Sequence, residues 1–146
     1  MYRRRKDALE VFLVHPGGPY FQKKDPGAWT IPKGEPLEGE SPLETALREF
    51  FEETGKAADG PFADLGETKQ AGGKTVRAWA FAGDWEDGRL PVSNDVEIEW
   101  PPRSGRKIRF PEIDRAAFFP VDEARRKIHP AQVVLIDRLE RTLREE

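Results

Sequence analysis

Gly34-Glu35-Pro36-Leu37-Glu38-Gly39-Glu40-Ser41-Pro42-Leu43-Glu44-Thr45-Ala46-Leu47-Arg48-Glu49-Phe50-Phe51-Glu52-Glu53-Thr54-Gly55 is a loop that runs into a helix with marked ends. Ser41 is a good N-cap, Pro42 suits the first helical position, and Glu44 completes a capping box three residues after Ser41. Gly55 stands where a left-handed residue stops a helix. With successive side chains about 100° apart, Leu43, Leu47, Phe50 and Thr54 share one stripe, flanked by Ala46 and Phe51, which is expected to face a sheet. Glu49, Glu52 and Glu53 share another face, at the i, i+3 and i+4 spacings that make side chains neighbours. Three adjacent carboxylates repel one another. Arg48 can pair with Glu52 and relieve part of this; a hard divalent cation, Mg²⁺ or Mn²⁺, would relieve more. Alone, Glu-x-x-Glu-Glu on a helix is an ordinary solvated face. A Gly-containing loop offering carbonyls before it, and Arg48 beside its first acid, make it a candidate cation site.

Working outward, residues 9–14 form a short β-branched and aromatic run that reads as a buried strand. The stretch His15-Pro16-Gly17-Gly18-Pro19 then turns the chain, with His15 read as a turn residue. Tyr20-Phe21 and residues 28–31 read as short strands around a Lys-Lys-Asp-Pro-Gly turn. After the helix, residues 75–82 and 96–100 alternate in strand fashion, which places Glu97 and Glu99 on a solvent face. Residues 107–110 and 116–119 are further short strands. Asp122 can cap a short helix reaching Ile128, and His129 and Pro130 open a last helix with Val133, Ile136, Leu139 and Leu143 at helical spacing. Strands in the middle, with helices inserted early and late, predict an α/β fold with a mixed sheet covered by helices. No repeat or linker divides residues 1–146, so one domain is expected.

The composition agrees. A chain of 146 residues, 37% hydrophobic and 35% charged, is globular in character and long enough to bury its own core. The absence of cysteine excludes a disulfide scaffold and a thiolate nucleophile and fits a cytoplasmic protein. Apolar runs such as residues 133–136 are too short to span a bilayer. A net charge of −3 by itself says little about nucleic acid, but a duplex partner usually needs a basic surplus or stripe. The only basic clusters, at 3–6, 103–109 and 125–127, read as solvated surface, so no duplex nucleic-acid partner is expected. A small phosphate-rich molecule suits scattered Arg and Lys better. Surface aromatics would serve a homodimer, whose position one-dimensional information does not fix.

Gly34, five residues, Glu40, seven residues, then Arg48-Glu49-Phe50-Phe51-Glu52-Glu53-Thr54-Gly55 resembles the Nudix box at every fixed position, with Lys56 in the last apolar slot as the one departure. The resemblance implies a Nudix-like α/β/α sandwich with a mixed central sheet. It also implies a Mg²⁺- or Mn²⁺-dependent hydrolase that cleaves the diphosphate linkage of a nucleoside diphosphate joined to another moiety, nucleoside triphosphates and dinucleoside polyphosphates leading. By the same resemblance Glu49, Glu52 and Glu53 bind the metal with a carbonyl of the Lys33-Gly34 loop. Arg48 orients a glutamate, and Glu40 has a more structural part. The general base is then Glu49 or Glu52 from the helix, or Glu112 from a later loop. Trp29-Thr30-Ile31-Pro32-Lys33-Gly34 is similar to the Trp-x-x-Pro-Lys-Gly approach of Nudix enzymes acting on dinucleoside polyphosphates and diphosphoinositols. Lys33 would contact a phosphate there, and Trp29 would brace the loop or face a base. Gln70 and Ala71-Gly72-Gly73 replace a proline and a tyrosine that mark two subfamilies, which leaves the leaving group open. A catalytically silent nucleotide sensor is the alternative, and the intact acids count against it.

Overall fold

Strand β2 (Ala8–Pro16) organises the fold in a computed structural model that describes residues 1–146, the side chain of Ala71 excepted. Its side chains alternate between two cores. Val11 and Leu13 pack with Ile128, Leu135, Ile136, Leu139 and Leu143 from the chain around helices α2 (Val121–Lys127) and α3 (Val133–Arg144). Phe12 and Val14 point the other way, onto Phe81, Trp85 and Phe50, the last carried by helix α1 (Pro42–Thr54). A strand apolar on both faces must be covered on both, and the α/β/α sandwich follows. β2 pairs antiparallel with β1 (Tyr2–Arg5) and β7 (Ile113–Pro120), β3 (Ala63–Lys69) with β4 (Thr75–Ala80), and β5 (Asp95–Glu99) with β6 (Lys107–Pro111). A parallel bridge between Tyr2 and Ala82 joins β1 to the chain leaving β4 and gives the sheet its mixed character. Among the described residues no helix is long and apolar enough to cross a membrane.

Several elements differ from expectation. β1 lies in a cluster read as solvated, yet Arg3 is tied to Glu10 at 2.7 Å and lies over the Phe118 ring, so its charge is used in packing the edge. β3 carries Gly66 and three charged residues and has no strand signature; its pairing with β4, and Arg138 donating to the Leu65 and Glu67 carbonyls, hold it in place. Tyr20 and Phe21 are in a turn, with the amides of Phe21 and Gln22 both donating to the Gly18 carbonyl. Residues 28–31 form no strand, and their strand-type pairing is limited to isolated bridges from Thr30 to Val14 and from Trp29 to Ile128. Asp122 sits inside the first turn of α2, whose N-cap position belongs to Pro120. His15 is no turn residue. It is fully buried near the end of β2, with Nδ1 2.7 Å from Asp114 Oδ1 and Nε2 2.7 Å from the Lys24 carbonyl.

The orientation of α1 is the most consequential difference. Its buried residues are Thr45, Glu49, Phe50, Glu53 and Thr54, while Leu43 and Leu47 are only half-buried and Phe51 is 56% exposed. The helix is therefore rolled so that part of its acidic face, not the whole apolar stripe, turns inward. Gly55 ends it at φ 82°, where an alanine would be strained and its Cβ would stand 2.8 Å from Val92 Cβ. Gly55→Ala is expected to lower stability by about 1–2 kcal/mol in urea unfolding, through loss of the left-handed cap.

Candidate active site

The capping box of α1 is present in both directions: Ser41 Oγ accepts from the Glu44 amide at 3.2 Å, and Glu44 Oε1 accepts from the Ser41 amide at 3.1 Å. This fixes where the helix begins, and hence its phase, and brings Glu49 and Glu53 inward one turn apart. Glu53 is 3% exposed, and its Oε2 accepts the Lys33 amide at 2.8 Å. Glu49, 9% exposed, rests its carboxyl on Gly34, where a Cβ would lie 2.0 Å from Glu49 Cδ. Gly34 is thus required for space. Arg48 ties the group together. Its Nε donates to Glu40 Oε2 (2.7 Å), Nη2 to Glu40 Oε1 (3.0 Å) and the Glu35 carbonyl (2.8 Å), and Nη1 to both Glu49 Oε1 (2.8 Å) and Glu52 Oε2 (3.0 Å).

The electrostatics sort these acids. Burial, then the charges of Glu112 and Glu49, push the Glu53 carboxyl up to about 9 against the opposing pull of the Lys33 amide and ammonium. Burial also raises Glu49, with Arg48 opposing and Glu52 and Glu112 adding to the rise. Glu40 goes the other way: the Arg48 guanidinium, followed by the Leu37 amide, holds it down at about 2. In return Glu40, ahead of Glu49, raises Arg48. Glu112 stands at the break between β6 and β7, where its amide donates to the Asn94 carbonyl and its carbonyl accepts from the Gly17 amide, both at 2.8 Å. The fold therefore carries an acid from far along the chain to the two buried on α1.

The expected ring of three glutamates is not preformed. Among the described residues no three acidic or histidine side chains converge as a ready metal cage. The reason is visible in the bonds: Arg48 draws Glu49 and Glu52 to itself, while Glu53 turns to the Lys33 amide. The donor chemistry still suits a hard dication. Two buried carboxylates and a third nearby charge make an oxygen-rich pocket in which ionisation is disfavoured until positive charge enters. Trp29 is 4% exposed; its ring meets His15 and Phe119 edge-on and its Nε1 donates to Asp25 at 2.7 Å. It braces the loop from the core and does not present a face to a base. Lys33 lines a cleft of about 440 Å³ between residues 32–36 and the β3–β4 ribbon, together with Gln70, Lys74 and Arg77. Gln132, fully buried and bonded to the Ile31 amide and to Gln70, is a residue that nothing in its local sequence marks.

The family model for the NUDIX domain matches residues 1–139, and the chain belongs to the Nudix family, as a pyrophosphohydrolase acting on phosphoric anhydrides. No curated protein matches the sequence. Among solved structures, a C. elegans Ap4A hydrolase in a binary complex is similar with a TM-score of 0.63 at 19% identity, over 99% of this chain and 93% of that one. The NUDIX domain of Shewanella oneidensis NrtR, complexed with ADP ribose, is similar with a TM-score of 0.63 at 17% identity, over 97% of this chain and 82% of that one. At these identities the likeness is one of fold.

Proposed function

We propose that the chain hydrolyses the diphosphate linkage of a nucleoside diphosphate joined to another moiety, with Mg²⁺ or Mn²⁺ held by Glu49, Glu52, Glu53 and a carbonyl of the Lys33-Gly34 loop. Dinucleoside polyphosphates and nucleoside triphosphates are the leading substrates. The observation that carries this is the burial of two neighbouring carboxylates, Glu49 and Glu53, facing the charge of Glu112. When bound, the cation neutralises these acids and stabilises charge developing on the phosphoryl oxygens. The chain's own groups do the rest. Arg48 orients Glu49 and Glu52, the Lys33 ammonium takes a phosphate oxygen, and an acid removes the proton of the water that attacks phosphorus as the bridging P–O bond breaks. Glu112 is the better placed base, because the Glu52 carboxylate is engaged by the Arg48 guanidinium at 3.0 Å. The Ap4A hydrolase of similar fold and the Trp29-to-Gly34 stretch support a dinucleoside polyphosphate; the ADP-ribose-bound NrtR domain supports a nucleotide-type ligand more broadly.

The test is a panel of diphosphate substrates with and without Mg²⁺ or Mn²⁺, with product analysis. Turnover should require the cation, and Glu52→Gln and Glu112→Gln should each lower kcat by about 100-fold or more with the fold intact. Normal turnover in both variants would overturn the assignment of these residues. Tight nucleotide binding by the wild type without product, across the panel, would favour a silent sensor.

A further inference from the structure

We propose that Gln132 is a positioning residue for the acid pocket: by fixing the Ile31 amide it aims the Lys33 amide at Glu53. Gln132 ends the 3-10 turn Pro130–Gln132 that leads into α3 and has no solvent exposure. Its Oε1 accepts the Ile31 amide at 3.0 Å, and its Nε2 donates to Gln70 Oε1 at 3.2 Å. The orientation of the side-chain amide is dictated by chemistry: a backbone N–H can only donate, so the oxygen faces Ile31 and the NH₂ is left for Gln70. The turn that carries Gln132 is itself fixed. The Gln132 amide donates to the His129 carbonyl at 2.8 Å, His129 Nδ1 accepts from the Ala131 amide at 3.1 Å, and Thr68 Oγ1 donates to the Ala131 carbonyl at 2.8 Å.

Between the amide that Gln132 holds and the amide that holds Glu53 there is one residue, Pro32. Its ring fixes φ, and it confines the preceding Ile31 to extended backbone, so this stretch has little freedom to absorb a change at Ile31. The bridges that hold the preceding segment stop at Trp29 and Thr30. Gln132 therefore takes over where backbone pairing ends, and Gly34, pressed against Glu49, follows directly. One buried side-chain amide thus registers the loop against both inward-facing acids.

Two readouts test this, one independent of metal. In chelator-treated protein, hydrogen exchange of the Lys33 amide reports the bond to Glu53. Calorimetric titration with Mn²⁺ alone reports the pocket, and that arm rests on the function proposed above. Gln132→Met keeps the size of the side chain and removes both bonds. Gln70→Met removes only the partner of Nε2, and Gln132→Glu keeps an acceptor for Ile31. Gln132→Met should speed Lys33 exchange and weaken Mn²⁺ binding, each by about tenfold or more. Gln70→Met should lower Tm while leaving Lys33 protected, and Gln132→Glu should restore the protection. Lys33 exchange unchanged in Gln132→Met, or lost equally in Gln70→Met, overturns the proposal. Should Gln132→Met not fold, the wild type decides: the Ile31 and Lys33 amides should exchange through one opening with the same denaturant dependence, and separate openings overturn it. A wild type that takes up no Mn²⁺ defeats the proposed function and leaves the exchange data to judge Gln132.

Discussion

Glu53→Gln is expected to abolish turnover and, in metal-free protein at neutral pH, to make the fold more stable. The carboxyl has an ordinary value of 4.5 and is raised to about 9 by burial and by the Glu112 and Glu49 charges. Below 4.5 it is protonated folded or unfolded and costs nothing. Between 4.5 and about 9 the unfolded chain ionises while the folded one does not, so stability falls as pH rises through that window. At pH 7 the loss is roughly 3 kcal/mol. Glutamine carries no such penalty, and its Oε1 can still accept the Lys33 amide. Urea unfolding in chelator at about pH 5 and pH 8 should show the wild type losing ground to Glu53→Gln at the higher pH. Mg²⁺ or Mn²⁺ should restore the wild type and leave the variant unmoved, since a ligand stabilises only the state that binds it. A variant no more stable than wild type at pH 8 in chelator would refute this account of the pocket.

Gly34→Ala should produce a different pairing, a large loss of activity with little change in stability. Gly34 has no left-handed φ, so its backbone accepts an alanine. The new Cβ would stand 2.0 Å from Glu49 Cδ and 2.2 and 2.3 Å from its two oxygens, and the carboxyl must move. Because the obstructing atoms are the flexible end of a glutamate, the fold adjusts; a displaced carboxyl also surrenders its bond from Arg48 Nη1. A shift of about 1 Å in a group that orders the reacting centre costs on the order of 100-fold in kcat/KM, whereas stability should stay within about 1 kcal/mol of wild type. Steady-state kinetics and urea unfolding on the same preparation separate the two, and a fully active Gly34→Ala would show that Glu49 has no need of its observed position.

Much of α1 was legible because its determinants are local. Ser41, Pro42, Glu44 and Gly55 act within a few residues of one another, and each takes the role its type and spacing imply. The run 9–14 reads as a buried strand for the same reason, although its service to two cores at once needed both covering layers. By contrast β3, with its glycine and charges, depends on β4 and Arg138, and sequence periodicity does not register partners of that kind.

The candidate site divides along the same line. Spacing alone determined that Glu49, Glu52 and Glu53 are neighbours on one helix and that Arg48 is within reach of them, since helical geometry sets both. Only the tertiary structure decided which of them is buried, because the roll of α1 over the sheet depends on contacts from β4 and β7. It also decided that Arg48 shares itself among Glu40, Glu49 and Glu52, that the Lys33 amide goes to Glu53, and that Glu112 lends its charge to the pocket. Burial and Coulomb coupling act through space between residues far apart in the chain, and a one-dimensional pattern carries no record of that distance.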